Sequence, residues 1–287
     1  MVLCSWLNGT FKFKKMKTIL VATDFSPAAG NAANYAADMA LGCNAILCLL
    51  HVYQMPVMFS EVPLPVTVDE MREDAIKQLT TIKESLLQRT AGKLYIEIMV
   101  RMGTFFSELK TVCDTIKPYN VVMGSQGTTA AERLVFGSHT VYAMKHLMWP
   151  LTTVPPGVTF SSVKKIGLAC DFDKAIERIP FDEIKILVDD FKAELHVLNT
   201  GKEGEFNTEI VGDSRLLRQK LAPVIPHYEF IANRDTDEGI IDFAEKNHID
   251  LLIVLPKGHA LTEKIMHKSH TRQLALHSPV PVMALHS

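Results

Sequence analysis

The feature that most constrains the fold is a pattern that occurs twice along the chain. The segment Lys165–Asp173, KIGLACDFD, repeats KTILVATDF from the beginning of the sequence, with Asp171 in the place of Asp24. A second segment, Leu255–Thr271, aligns without a gap with the residues from Gly124 onward. An internal repeat of this length indicates two homologous domains.

The length of the chain agrees with this interpretation. Its 287 residues correspond to about two domains of roughly 150 residues each. We predict an N-terminal extension at residues 1–15, a first domain at residues 16–156 and a second domain at residues 163–287. The two domains are below called the first half and the second half.

Apolar runs alternate with helical patterns through the first half. The run Ala45–Tyr53 is apolar almost throughout, which is typical of a parallel strand buried on both faces. The predicted strands are Thr18–Val21, Ala45–Tyr53, Leu94–Val100, Asn120–Met123 and Thr152–Val154, and the predicted helices are Pro27–Leu41, Asp69–Gln88, Thr104–Ile116 and Ser138–Leu147. This alternation predicts an α/β fold with a doubly wound parallel sheet, in which ligands bind at the carboxyl ends of the strands.

The first predicted helix carries clear signals at both ends. Ser26 is placed to act as its N-cap, and Pro27 stands at the first helical position, where a missing N–H costs nothing. At the other end, Gly42 follows Leu41 and is expected to stop the helix.

A glycine-containing stretch follows the fourth predicted strand. Gly124, Gly127 and Gly137 expose bare backbone, and Ser138 and Thr140 add hydroxyl groups at a predicted helix start. Consecutive backbone N–H groups and the positive end of a helix dipole favour a bound anion. The stretch is therefore suited to binding a polyphosphate.

The complete spacing of these glycines resembles the nucleotide-binding signature of the universal stress protein family, G-x2-G-x9-G-[ST]. The strand endings KTILVATD and LLHV also follow the order of that family, and the resemblance covers roughly Met16–Pro155. It implies two five-stranded Rossmann-like domains of the adenine nucleotide alpha hydrolase-like type in tandem. Because domains of this family pair through their last strand, it also implies an internal pseudo-dimer, and a homodimer of whole chains is compatible with it.

The resemblance implies a set of site residues and a ligand. The ligand is an adenine nucleotide, with ATP, ADP and AMP all open and Mg²⁺ compatible with any of them. The implied site residues are Ala22, Thr23, Asp24, Val52, Met123, Gly124, Gly127, Gly137, Ser138, His139 and Thr140. Asp24 is expected to contact the base or ribose, or to reach phosphate through Mg²⁺, since two negative charges in a partly dry site repel each other.

The second half keeps this signature only in part. Leu255 replaces Gly124 and Lys268 replaces Gly137, so a leucine side chain is expected where backbone should meet phosphate. We therefore predict one nucleotide per chain. We also expect that placing leucine and lysine at the two first-half glycines lowers the affinity for nucleotide on the order of a hundredfold or more and leaves the fold intact.

Histidines occur at several notable positions. His51 and His196 each precede valine at the end of a predicted strand, so the sequence suggests equivalent positions in the two halves, for which a structural role is favoured over acid–base chemistry. His259, His267 and His270 cluster in the second half. Without a matching acidic or cysteine ligand we interpret them as solvated or hydrogen-bonded side chains rather than as a metal site.

Composition excludes several classes of partner. The net charge of −2, the pI near 6.6 and the lack of a basic block disfavour nucleic acid and anionic membranes. The five cysteines include no CxxC pair, which favours a reducing cytoplasm, and Cys170 is interpreted as a small core residue. No apolar run reaches the roughly 18 residues of a membrane-spanning helix.

The sequence also lacks familiar catalytic motifs. It contains no GxGxxG fingerprint, no GxxxxGK[ST] P-loop and no GxSxG elbow. Asp171 and Asp173 could hold Mg²⁺, although carboxylates before a helix are commonly structural. We therefore favour a nucleotide-dependent sensor or regulator in a stress response, whereas a slow Mg²⁺-dependent ATP hydrolase and a ligand-free interaction scaffold stay open.

Overall fold

The structure is a computed structural model that describes residues 16–54, 67–125, 138–170, 179–199, 208–231, 235–256 and 270–286. In the first half the strands are β1 (Thr18–Ala22), β2 (Ile46–Tyr53), β3 (Ile96–Met102), β4 (Asn120–Gly124) and β5 (Leu151–Val154), and the helices are α1 (Pro27–Gly42), α2 (Val68–Arg89), α3 (Phe105–Ile116) and α4 (Ser138–His146). In the second half the strands are β6 (Lys165–Ala169), β7 (Glu194–Asn199), β8 (His227–Phe230), β9 (Leu251–Val254) and β10 (Val282–Ala284), and the helices are α5 (Phe181–Phe191), α6 (Thr208–Leu221), α7 (Thr236–Lys246) and α8 (His270–His277).

The described strands form one sheet of ten, in the order β3-β2-β1-β4-β5-β10-β9-β6-β7-β8. Each half contributes five parallel strands in a doubly wound order, as predicted. The two groups meet at β5 and β10, which pair antiparallel with Thr153 opposite Val282. The last strands of the two halves therefore join them into one continuous sheet.

A buried cluster lies beside this junction and belongs to both halves. Leu147 and Leu151 of the first half pack in the same cluster as Leu274 and Val282 of the second half. Burial of apolar surface contributes about 25 cal/mol per Å². The junction is thus held by side-chain packing in addition to backbone hydrogen bonds.

The N-terminal end of α1 agrees with the prediction from the sequence, and its C-terminal end differs from it. The hydroxyl oxygen of Ser26 accepts a hydrogen bond from the N–H of Ala29 at 3.1 Å, which confirms the predicted N-cap. At the other end the prediction was wrong, because Gly42 is the last helical residue and Asn44 has the left-handed φ of 51°. The ring of Phe160 lies 3.4 Å from the position that a Cβ would take at Gly42, which is an ordinary van der Waals contact.

The connection between the halves is fixed to α1. The side-chain amide of Asn31 donates to the carbonyl oxygens of Pro155 and Val158, at 3.0 and 3.2 Å. The ring of Phe160 then packs between Tyr35 of α1 and Phe191 of α5, with centroid separations of 5.3 and 6.3 Å. The connecting segment is therefore in contact with both halves.

Polar contacts add to the same interface. Asp190 of α5 forms an ion pair with Lys17 and accepts a hydrogen bond from the Tyr119 hydroxyl at 2.9 Å. The Lys17 ammonium also lies 4.6 Å from the centre of the Tyr119 ring. These contacts join the start of the first half to the end of α5.

The sheet register shows which residues of the two halves correspond. Ala22 lies opposite Leu50, and its counterpart Ala169 lies opposite Leu198. The residue of β7 that corresponds to His51 is therefore Asn199, and the predicted equivalence of His51 and His196 is wrong. The similar segments LLHV and ELHV therefore do not occupy equivalent positions, because His196 lies three residues before the position in β7 that corresponds to His51. Since side chains alternate along a strand, an odd displacement places the two histidines on opposite faces of the sheet.

The register does confirm the alignment of the glycine stretch. Val121 pairs with Leu20 of β1, and Leu252 pairs with the corresponding Gly167 of β6. Three residues later along each strand, Leu255 therefore corresponds to Gly124.

The described cysteines, Cys43, Cys48, Cys113 and Cys170, form no disulfide bond with one another. Cys170 is only 5% exposed, which confirms that it is a core residue. Among the described helices, none is both long and apolar enough to pass through a membrane.

Candidate functional site

A cavity of about 260 Å³ opens at the carboxyl ends of β1, β2 and β4. The N-terminal ends of α1, α3 and α4 also contribute to its wall. Predicted site residues that line it are Ala22, Thr23, Asp24, Val52, Met123, Gly124, His139 and Thr140. The structure thus brings together residues that are more than 100 positions apart in the sequence.

Three predicted residues are not placed around this cavity. Gly127 and Gly137 lie outside the described residues. Ser138 is the first residue of α4, but its side chain is not described. Their roles stay predictions.

The cavity wall also includes residues that the sequence did not predict as site residues, namely Ser26, Ala29, Gln54, Phe105 and Ser125. Ser26 and Phe105 stand at or beside the start of a helix that follows a strand, so the rule that sites form at the carboxyl edge of the sheet could have indicated them. Gln54 directly follows β2. No sequence motif marked Phe105 or Gln54.

A tight turn presents Asp24 to the cavity. The Oγ1 atom of Thr23 accepts a hydrogen bond from the N–H of Phe25 at 3.0 Å. The Oδ1 atom of Asp24 accepts one from the N–H of Ser26, also at 3.0 Å. One carboxylate oxygen of Asp24 is thus used within the turn, and the other is available as an acceptor.

The described cavity wall carries little positive charge. Within it, Asp24 is the one carboxylate, and no lysine or arginine occurs. The ring of His139 packs edge-on against Phe105 with a centroid separation of 5.3 Å. The described part of the wall therefore combines apolar surface with hydroxyl, amide and carboxylate groups.

Comparison with known proteins decides the family. The model described as the universal stress protein family matches residues 15–155 and again residues 164–286. The chain belongs to the universal stress protein family. The two matched segments make it a tandem member.

Solved structures share its fold. A universal stress protein from Archaeoglobus fulgidus is 17% identical, with a TM-score of 0.72 over 94% of this chain and 98% of that one. A putative universal stress protein from Pseudomonas aeruginosa is 12% identical, with a TM-score of 0.59 over 94% and 93% of the two chains. No curated protein matched the sequence.

The geometry of Gly124 in this universal stress protein differs from the expectation. Its backbone lines the cavity, yet a Cβ at this position would stand 2.9 Å from the backbone carbon and oxygen of Ala28. The absence of a side chain therefore allows the first turn of α1 to approach β4. This finding argues against an intact fold after substitution of Gly124 by leucine.

The second half of this universal stress protein is built differently at the corresponding place. Leu255 packs against the buried cluster that contains Ile166 and Leu168. A leucine is therefore compatible with the second half but not with the close approach of α1 in the first.

No metal site was found in the part of the chain that the structure describes. Of the histidines considered for one, His270 is described, and its Nδ1 lies 2.7 Å from Asp237. The other candidates, His259, His267, Asp171 and Asp173, lie outside the described residues.

Proposed function

We propose that the first half binds one adenine nucleotide and that the protein acts as a nucleotide-dependent sensor or regulator in a stress response. The observation that carries this proposal is the cavity at the carboxyl edge of the sheet. Eight of the site residues implied by the resemblance to the family surround it. Membership of the universal stress protein family supports the same assignment.

The size and chemistry of the cavity suit the nucleoside part of such a ligand. Its volume of about 260 Å³ lies just below the roughly 300–1,000 Å³ of sites for whole drug-sized ligands, as expected if it holds only part of the nucleotide. The side chains of Val52, Met123 and Phe105 supply apolar surface for a base, and Asp24 supplies an acceptor for ribose hydroxyls. The residues present therefore fit a nucleoside.

The phosphates require a different environment. They would be repelled by Asp24, so we place them toward the start of α4, where the helix dipole and the backbone N–H groups of the glycine stretch favour an anion. Mg²⁺ would be held chiefly by phosphate oxygens and water, as it often is in nucleotide sites. Gly127, Gly137 and Ser138 stay proposed phosphate contacts.

Titration calorimetry of the full chain with ATP, ADP and AMP tests the proposal. We expect one nucleotide per chain, because the register places Leu255 at the position of Gly124. Two equal sites, or no binding of any of the three, would contradict it. Mass spectrometry of small molecules released on denaturation would identify a resident nucleotide.

A single-turnover assay separates a sensor from a slow ATP hydrolase. No described residue of the cavity wall pairs a nucleophile with a general base, so we expect ATP to be recovered intact. A cytoplasmic location and a homodimer of whole chains also stay proposals. Fractionation of cells and sedimentation of the purified protein test them.

A further inference from the structure

The turn that presents Asp24 has an unusual backbone conformation. Phe25 has a φ of 66°, in the left-handed region that an aromatic residue rarely adopts. Such a conformation persists only where surrounding contacts hold it. The orientation of Asp24, the preceding residue, therefore depends on what supports Phe25.

His51 supplies two of these supports from the neighbouring strand β2. Its Nδ1 lies 2.8 Å from the carbonyl oxygen of Thr23. A carbonyl oxygen can only accept, so Nδ1 is the nitrogen that carries the proton and donates. The imidazole ring also packs on the ring of Phe25, with centroids 4.2 Å apart and planes inclined by 30°.

The place of His51 in the sheet explains why it can reach both residues. Ala22 lies opposite Leu50, and the N–H of Thr23 donates to the carbonyl oxygen of Leu50 at 2.9 Å. His51 is thus beside the first residue after β1. It is half-buried and does not line the cavity, so it acts on the turn rather than on a ligand.

We propose that His51 is a positioning residue that holds the Thr23–Phe25 turn so that Asp24 faces the ribose of the bound nucleotide. This inference rests on the proposed function. Its distinctive consequence concerns sugar selectivity: loss of the His51 donor weakens recognition of the ribose hydroxyls and spares the contacts to base and phosphate.

Three substitutions distinguish the hydrogen bond that His51 donates from the packing of its ring. His51→Phe keeps a ring beside Phe25 and removes the donor to Thr23. His51→Asn places an amide nitrogen where Nδ1 stands, whereas His51→Gln carries its amide one bond farther out. Asp24→Asn, which removes the charge from the proposed ribose acceptor, is the reference for lost sugar recognition.

The measurement is the dissociation constant of each variant for ATP, 2′-deoxy-ATP and 3′-deoxy-ATP. A hydrogen bond from a ribose hydroxyl to a carboxylate corresponds to a preference of about 10- to 100-fold for ribose over the deoxy sugar in the unmodified protein. We expect His51→Phe and His51→Gln to reduce this preference to less than about threefold, with the affinity for the deoxynucleotides unchanged. His51→Asn should keep most of it.

The outcomes are distinct. Equal loss of affinity for all three nucleotides, or an unchanged preference in His51→Phe, would overturn the positioning role while the proposed function stands. An unmodified protein that binds nucleotide without any preference for ribose would also overturn it. If the unmodified protein binds no nucleotide, both proposals fall, and if His51→Phe does not fold, the comparison of His51→Asn with His51→Gln decides.

Discussion

Replacement of Gly124 by alanine tests how the first half brings α1 against the sheet. The added Cβ would lie 2.9 Å from the backbone carbon and oxygen of Ala28 and 3.1 Å from its Cβ. The nearest atoms belong to the backbone of a helix, so they cannot move aside as the end of a flexible side chain could. Overpacking of this kind costs about 1–3 kcal/mol.

A smaller effect opposes this cost. Alanine has less conformational freedom than glycine in the unfolded chain, which favours folding by about 0.4–1 kcal/mol. The net loss for Gly124→Ala therefore lies between about 0 and 2.6 kcal/mol, and its middle value of about 1.3 kcal/mol corresponds to a Tm lower by roughly 3–5 °C in a domain of about 150–250 residues. The measurement is thermal unfolding followed by circular dichroism, supported by urea titration.

Gly30→Ala is a matched control in the same helix that Gly124 faces. No atom lies within 4 Å of a Cβ at Gly30, and alanine is favoured over glycine inside a helix by about 1 kcal/mol. We expect this variant to be slightly more stable than the unmodified protein. If Gly124→Ala were as stable as Gly30→Ala, the close approach of α1 would not be the reason for glycine at this position.

Three further predictions concern the interface and the core. The first half and the second half, expressed separately, should each dimerise or aggregate in sedimentation experiments, because β5 or β10 then becomes an unpaired edge; two well-behaved monomers would contradict the role of the junction. Asp190→Ala should lower the free energy of unfolding by about 1–3 kcal/mol, because the part-buried hydroxyl group of Tyr119 loses its hydrogen-bond acceptor. Asp189→Ala, which removes a fully exposed ion pair, should have little effect in the same urea titration. Burial raises the pKa of the Cys48 and Cys113 thiols to about 12, so both should resist thiol reagents at neutral pH until the protein unfolds; rapid labelling of the native protein would refute this.

Local signals in the sequence predicted much of the first half. The apolar run of β2 and the serine–proline start of α1 depend on residues close together in the chain, so periodicity and capping rules detected them. The spacing of the glycines identified the family, and the strand ends it implied do meet at one cavity. These features need no knowledge of distant contacts.

Other features depend on distant contacts and were missed. The packing of Phe160 beside Gly42, at the end of α1, brings together residues more than 100 positions apart in the sequence. The apparent match of His196 with His51 failed because four similar letters do not determine register, whereas pairing with β6 does. Phe105 lines the cavity because α3 begins beside the cavity, and the position of α3 depends on the order of the strands in the sheet.

The antiparallel pairing of β5 with β10 has a consequence for how the two halves can differ. In a homodimer of identical single-domain chains, every substitution occurs in both subunits. Their symmetric interface must then tolerate the substituted residue twice. In a tandem chain the covalent link holds the two halves at an effective concentration on the order of millimolar. The last strand of each half can therefore pair with the other half, and neither half has to pair with an identical copy of itself. One half can then carry leucine where the other carries glycine and still complete the sheet of the other, so that the two halves of a single chain can diverge at the strand end where we propose the nucleotide site of the first half.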